Sequence, residues 1–361
     1  MKKELKPIAF LNGDGGVARG AQMVREIIFK SFPTVDVPMS VAARLETNDD
    51  CITSAVAALR KCGAGFKNST ASNDPLIKAK GWKSANIAMR PLANAFAMLR
   101  FLQGPGRYQN PCGVLRFASG GFYEELSADV QSGNEKNLII TQRMNLTKLE
   151  EFARLAYKIA QEKGLHLVLA SKSTIAKSEL TFRETIENVW RELGLTEITA
   201  KDLWSDDTWH HELTDIALAS LPIQNGDGES VYAKGGFLMV CDNPNGDTAS
   251  DIVDIQHGNR VMGSTVYCMS DEGWFTYEEL PGGTADGKTV GPLYGDKFLN
   301  PAGIIFAMCS AFEQVNPEQK DFFGFVRAAT LDYLNDTDSA ERDTERMIQY
   351  VAERSEYLIE V

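Results

Sequence analysis

The sequence predicts an α/β protein on two observations. Short apolar runs suited to buried strands alternate with segments whose apolar residues recur at spacings of three and four, and glycines punctuate the changes. The first pair is Ile8-Ala-Phe-Leu11, a glycine turn, and then the pattern around Val24, Ile27, Ile28 and Phe29, which reads as strand, turn, helix. A clearer helix begins at Thr147-Lys-Leu-Glu150, a match to the capping box, and continues through Leu149, Phe152, Ala153, Ala156, Ile159 and Ala160. Gly164 ends it. Leu165-His-Leu-Val-Leu-Ala170 follows as a strand, and a second helix lines up Phe182, Ile186, Val189, Trp190 and Leu193 before Gly194. Residues 63–82, 104–112, 222–230 and 281–297 read as loops, and the chain closes on a charged helix from Ser339 to Tyr357.

The 361 residues, 43% of them hydrophobic, are ample for a buried core, and the length suggests two domains. A net charge of −12 argues against nucleic acid or an anionic membrane surface as partner, so a small anionic substrate would need local arginines. The six cysteines are scattered, without a CxxC pair, which suits a reducing compartment and excludes a cysteine-rich zinc module. Met1-Lys-Lys-Glu-Leu-Lys-Pro7 lacks the apolar core of a signal peptide, and no stretch is long enough to span a bilayer, so the expected location is the cytoplasm.

Gly13-Asp-Gly15-Gly-Val-Ala18 follows a strand and opens a helix, formally matching G-x-G-x-x-[GA], with Asp36 in range as a ribose ligand. Taken literally it predicts a Rossmann dehydrogenase; the other reading is a tight turn with another purpose.

Two aspartates four apart in Asn243-Pro-Asn-Gly-Asp247-Thr-Ala-Ser-Asp251 would project from one face of a helical turn, half of a site for Mg²⁺ or Mn²⁺. The alternative is a solvated acidic turn in which Asp247 caps a helix. Arg90 and Arg100 lie in a mostly apolar segment where an isolated guanidinium needs a reason, and bidentate grip on a carboxylate is one. A third arginine, Arg116, precedes Tyr123 by seven residues. Tyrosine serves as an acid once a neighbouring cation stabilises the phenolate.

These residues resemble a known family, the metal-dependent β-decarboxylating dehydrogenases that include isocitrate, 3-isopropylmalate, homoisocitrate and tartrate dehydrogenases. The resemblance runs through nearly the whole chain. Gly13-Asp-Gly15 is similar to the family's N-terminal turn, Ser84-x-Asn86-x-x-x-Arg90 with Arg100 to its substrate helix, and Arg116 to Tyr123 to its third arginine and catalytic tyrosine. Lys172 stands where the family has its catalytic lysine, with Lys177 also matching. Asp215 matches the first metal aspartate, Asn243 to Asp251 the metal signature, and Asn300-Pro301 the cofactor-side pair.

The resemblance implies a two-domain fold with a central mixed sheet flanked by helices, not a Rossmann fold. A large cofactor-side domain would comprise 1–99 and 258–361, and a small domain, 100–257, would hold the dimer interface and metal ligands, with the site in the cleft between them. It implies NAD- or NADP-dependent oxidation of a 2-hydroxy-3-carboxy acid followed by loss of CO₂. Asp215, Asp247 and Asp251 would hold the metal, and Ser84, Asn86, Arg90, Arg100 and Arg116 the substrate. Lys172 would take the hydroxyl proton and Tyr123 would reprotonate the enolate carbon. Lys172 and Asp215 would reach into the partner's site, making a homodimer the active unit.

Ser84 and Asn86 look like the isocitrate branch, where a serine hydroxyl meets the distal carboxylate, whereas Gly120-Gly-Phe-Tyr123 and the chain length look like the isopropylmalate branch. Other substituted malates stay open, as does a non-catalytic regulatory subunit of this fold. On the cofactor side, Gly283, Thr284, Ala285, Asp286 and Asn300 are the matching residues, but Gly282 replaces the family's histidine and 286–296 carries an insertion. A carboxylate at Asp286 favours NAD by repelling a 2′-phosphate and Lys288 nearby argues for NADP, and NAD is the expected cofactor of the two.

Overall fold

The computed structural model describes residues 4–71, 74–102, 112–120, 126–132, 135–174, 176–202, 236–257, 263–268, 275–279, 300–337 and 343–355. The chain divides into two units. One comprises Met1–Asn94, Arg100–Gly106 and Gly258–Val361, and the other Ala95–Leu99 and Arg107–His257.

In the first unit, β1 (Ile8–Asn12) buries Ile8, Ala9, Phe10 and Leu11 almost completely, the pattern of a parallel strand covered on both faces. Gly15 at φ +75° turns the chain into α1 (Gly15–Ile27), whose Val17, Ala21 and Val24 face the core. The chain continues through β2 (Thr34–Pro38), α2 (Val41–Glu46), α3 (Cys51–Cys62), β3 (Ala64–Lys67), α4 (Pro75–Ala79) and α5 (Ala85–Leu92). β1 pairs in parallel with β2 on one side and β3 on the other. The stretch 63–82, expected to be a loop, thus contains a strand and a helix. Four residues, Ala64 to Lys67, are too few to show a period, and Asp74 starts α4 by accepting from the Leu76 N–H at 2.8 Å.

The second unit holds β4 (Ala95–Leu102) through Leu99, β5 (Cys112–Phe117), β6 (Leu126–Ser132), β7 (Glu135–Thr141), α6 (Leu146–Lys163), β8 (His166–Ser171), α7 (Lys177–Glu192), β9 (Thr199–Asp202), β10 (Phe237–Asp242) and α8 (Asn243–His257). Its sheet runs β4-β5-β10-β8-β9, with β10 parallel to both neighbours. Phe117, Phe152 and Phe182 stack α6 and α7 against it, with ring centroids 5.3–6.4 Å apart, and the buried Trp190 indole donates to the Ala153 carbonyl at 2.9 Å. The cap of α6 is Asn145, accepting from the Lys148 N–H at 3.1 Å, and not the expected Thr147, which lies inside the helix. Asparagine two residues upstream offers the same acceptor, so the helix starts two residues earlier than the box implied. β6 and β7 form a separate antiparallel hairpin on which Leu138, Ile139 and Ile140 are exposed.

The chain then supplies β11 (Gly263–Cys268), β12 (Phe275–Glu279), α9 (Ala302–Val315), α10 (Lys320–Asp336) and α11 (Thr344–Ser355) to the first unit. There β11 is antiparallel to β12, and β12 is parallel to β3, so this sheet is mixed rather than the all-parallel sheet of a Rossmann fold. α9 is apolar on nearly every face, as a fully buried helix must be, and its Phe312 packs at 5.0–5.3 Å on Phe29 and Phe32. The closing helix falls within its expected span; Met347, Ile348 and Val351 bury its inner face.

The N-terminal glycine motif is a packing turn. A Cβ on Gly13 would stand 1.7 Å from the Ser69 carbonyl oxygen, which accepts from the Asp14 N–H at 2.9 Å. The Asp14 carboxylate in turn accepts from Val41 N–H at 2.9 Å and Ala71 N–H at 3.0 Å, tying three loops together. Asp36, the would-be ribose ligand, is paired with Arg25 at 2.6 Å. Gly13→Ala should therefore destabilise the first unit by about 3 kcal/mol, read as faster amide exchange across β1 and β3; unchanged protection there would contradict the account.

Candidate active site

The carboxyl ends of three parallel strands converge in the second unit. Arg116 of β5 is in register with Cys241 of β10, Phe117 with Asp242, and Val240 of β10 with Leu169 of β8. Ligands of open α/β sheets bind at such an edge. Leaving it are Arg116 from β5, α8 from β10, and Lys172 from β8.

Arg116 is 5% exposed, and a buried guanidinium must find partners. It has two. The Met98 sulfur accepts from Nε at 3.1 Å and Nη2 at 2.7 Å, and Nη1 forms an ion pair with Asp247 Oδ1. The Asp247 side chain is 57% exposed, so its carboxylate faces both the arginine and solvent. Close approach is possible because residue 246 is glycine. A Cβ there would fall 2.5 Å from Arg116 Cβ and 3.0 Å from Cys241 Sγ.

α8 is capped by Asp242, whose Oδ1 accepts from the Asn245 N–H at 3.2 Å. Asp247 is therefore not the cap but lies four residues into the helix. The backbone is helical through Asp251, which places the two aspartates on one face one turn apart; the Asp251 side chain lies outside the described residues. Ser250 fixes the turn between them by donating to the Asp247 carbonyl at 2.9 Å.

Lys172 follows β8, half-buried, and its N–H donates to Glu179 Oε2 of α7 at 3.1 Å. Lys177 is exposed at the start of α7. Glu179 also hydrogen-bonds the Asp242 carboxyl. Burial first, and then the Glu179 charge, push the Asp242 pKa up to about 7, and burial likewise raises that of Glu179. Two carboxyls with raised pKa values thus meet between the backbone of Lys172 and the first turn of α8. Neither was picked out in the sequence. An aspartate flush at the end of the apolar run Phe237 to Cys241 is a readable cap, whereas nothing in the spacing ties it to Glu179.

In the first unit, Ser84 caps α5, its Oγ accepting from the Ile87 N–H at 3.3 Å. Asn86 and Arg90, four residues apart on this helix, share a face. Arg90 is 6% exposed and the Asn86 Oδ1 is buried without a hydrogen-bond partner. The turn before Ser84 is held by Arg44, fully buried, which grips Asp49 at 2.6 Å and the Lys83 carbonyl at 2.8 Å. Arg100 is buried on β4, and Asn300 Oδ1 accepts from the Ala302 N–H at 3.1 Å at the start of α9.

Tyr123, Asp215, Gly283, Thr284, Ala285 and Asp286 lie outside the described residues. Among the described residues, no three His, Cys, Asp or Glu side chains gather around a point where a metal could sit. The donor chemistry at α8 nevertheless suits a hard cation, since Asp247 offers carboxylate oxygen at a partly exposed position and Asp251 follows on the same face.

The family model for isocitrate/isopropylmalate dehydrogenase matches residues 22–343. The chain is 23% identical to the mitochondrial NADP isocitrate dehydrogenase of Aspergillus niger, covering 94% of this chain and 74% of that protein. It is 24% identical to the corresponding mitochondrial enzyme of Candida tropicalis, covering 91% of this chain and 84% of that one. Among solved structures, isocitrate dehydrogenase from Ostreococcus tauri in complex with isocitrate and magnesium(II) superposes with a TM-score of 0.74 at 18% identity, over 98% of this chain and 100% of the other. A β-decarboxylating dehydrogenase from Thermococcus kodakarensis in its apo form gives 0.71 at 17% identity, over 98% and 97%. The mixed sheet, the arginine set against an aspartate-bearing helix and the match over most of its length agree: the chain belongs to the isocitrate/isopropylmalate dehydrogenase family of oxidoreductases.

Proposed function

We propose that the protein oxidises and decarboxylates a 2-hydroxy-3-carboxy acid of the isocitrate type, using a nicotinamide cofactor and Mg²⁺ or Mn²⁺. The observation that carries this reading is the Arg116–Asp247 pair. It sets a cation suited to a substrate carboxylate against an anion suited to a divalent metal, and a chelated 2-hydroxy acid must meet both.

Asp247 and Asp251, with Asp215, would hold the cation. When bound, the cation supplies positive charge beside the developing oxyanion, and the nicotinamide accepts the hydride. Arg116 keeps the α-carboxylate side of the substrate fixed and neutralised, since its planar fork retains N–H donors beyond those used by Met98 and Asp247. Arg90 and Arg100 hold the remaining carboxylates. Asn86 supports a hydroxylated or otherwise donor-bearing ligand near Arg90, because its buried Oδ1 lacks a donor. Lys172 accepts the hydroxyl proton at Nζ, and Tyr123 returns a proton to the substrate carbon after CO₂ departs.

Ser84 and the curated relatives both favour isocitrate over isopropylmalate. Asp286 argues for NAD on charge grounds while the relatives carry NADP in their names, so the two cofactors are separate arms of the test. A homodimer with shared sites is supported by the hairpin β6–β7, whose exposed Leu138, Ile139 and Ile140 form an apolar run that a second copy would cover. The cytoplasm remains the proposed compartment, supported by the free thiols of Cys51, Cys62, Cys241 and Cys309. Among the described residues, no helix is long and apolar enough to cross a membrane.

Isocitrate with Mn²⁺ and either cofactor should yield reduced cofactor and CO₂ in equal amounts, EDTA should stop the reaction, and Asp251→Asn should lower kcat by at least about a hundredfold. Full activity in Asp251→Asn would sink the metal assignment. Arg116→Lys keeps the charge but loses the fork, and should raise KM for the acid by about tenfold or more; an unchanged KM would remove Arg116 from the substrate site.

A further inference from the structure

A path of hydrogen bonds joins the two halves of the proposed catalytic edge. The Asn245 N–H in the first turn of α8 donates to Asp242 Oδ1 at 3.2 Å, Asp242 hydrogen-bonds Glu179, and Glu179 Oε2 accepts from the Lys172 N–H at 3.1 Å. Each link joins a different element. Asp242 ends β10, Glu179 is on α7, Lys172 follows β8, and Asn245 opens the helix that carries Asp247 and Asp251. The Lys172 ammonium and the two aspartates lie at the ends of this path without belonging to it.

We propose that Glu179 and Asp242 are positioning residues of the reaction, forming a carboxyl bridge that makes the Lys172 backbone and the first turn of α8 move as one unit. The inference rests on the reading of Lys172 as the base and of α8 as the metal helix. If Lys172 acts across a dimer, the bridge has a further consequence. It ties a residue serving the partner's site to the helix serving the chain's own, so cation binding at one site stiffens the base of the other.

Burial biases both carboxyls toward their protonated forms. Facing Asp242 are Glu179 from α7 and Asn245 from α8, and Lys172 faces Glu179 through its backbone N–H. Asp242 holds its proton up to about pH 7 in the fold, against an ordinary value of 3.8. A carboxyl raised in this way contributes stability that is complete below pH 3.8 and is lost as pH rises toward about 7, so the bridge is closed on the acid side of neutrality and opens above it.

The test compares Asp242→Ala, which removes the bridge, with Asp242→Asn, whose amide keeps the cap acceptor and donates to Glu179 without a titratable proton. Amide exchange, corrected for intrinsic rates, is followed over residues 170–176 and 242–250 in the metal-free enzyme and with Mn²⁺ alone. In the wild type, protection of both segments should fall together as pH passes about 7, and Mn²⁺ should slow exchange in 170–176 as well as in 242–250. Asp242→Ala should lose that cross-segment response and lower kcat by about tenfold or more with KM changed much less, while Asp242→Asn recovers most of both and flattens the pH dependence. Should Asp242→Ala fail to fold, Glu179→Ala cuts the same path from α7 with the α8 cap intact and is expected to behave likewise. The proposal is overturned if either alanine variant keeps the Mn²⁺ response in 170–176, or if Asp242→Asn is as impaired as Asp242→Ala. The underlying reading fails separately, if Lys172→Ala turns over at the wild-type rate.

Discussion

A hydrogen atom in place of a side chain at Gly246 lets α8 lie against β5, and the rest of the proposed catalytic edge is arranged by that contact. With a methyl group there, Arg116 Cβ and Cys241 Sγ would both be struck, and the helix would have to move off the sheet. With glycine, the Arg116 guanidinium reaches the Asp247 carboxylate while its other nitrogens rest on the Met98 sulfur. A buried cation is costly unless paired, so the pair orients the arginine before any ligand arrives. The aspartate, in turn, is presented partly to solvent by a helix whose start is fixed by Asp242. Charge of both signs is thereby preorganised at one point, which is what stabilisation of a chelated oxyanion requires.

A second constraint acts from beneath. Burial raises the pKa of both Glu179 and Asp242, the Glu179 charge adds to the shift at Asp242, and the same two groups take up backbone donors from Lys172 and Asn245. The arrangement connects strands β8 and β10 at the ends where the chemistry is proposed to occur. In the first unit Arg44 does a comparable job for α5, holding the turn before Ser84 so that Asn86 and Arg90 start from a fixed cap.

Much of this was legible in the sequence where the signal is periodic or chemically specific. The helices 146–163 and 177–192 follow their apolar faces, and the strands around 8–12 and 166–171 their apolar runs. Asp247 and Asp251 were readable as a one-face pair, and Arg90 and Arg100 as arginines that need a reason in an apolar segment. The cap of α6 was misplaced because Asn145 and Thr147 offer similar acceptors two positions apart. β3 and α4 were hidden in the expected loop 63–82 because four or five residues cannot display a period. The glycine motif at 13–18 illustrates the opposite error, a pattern shared by phosphate-binding turns and packing turns alike; the Ser69 carbonyl against Gly13 and the amides on Asp14 decide for packing. The pairing of Glu179 with Asp242 was invisible because it joins residues 63 positions apart that no motif spans.

The central claim is that Arg116 and Asp247 meet a single chelate, so substrate and metal must assist one another. Calorimetric titration of Mn²⁺ into the enzyme with and without isocitrate tests this most directly. The account predicts that isocitrate tightens Mn²⁺ binding by about tenfold or more and that Mn²⁺ tightens isocitrate by the same factor. Equal Mn²⁺ affinity in the presence and absence of saturating isocitrate would contradict it.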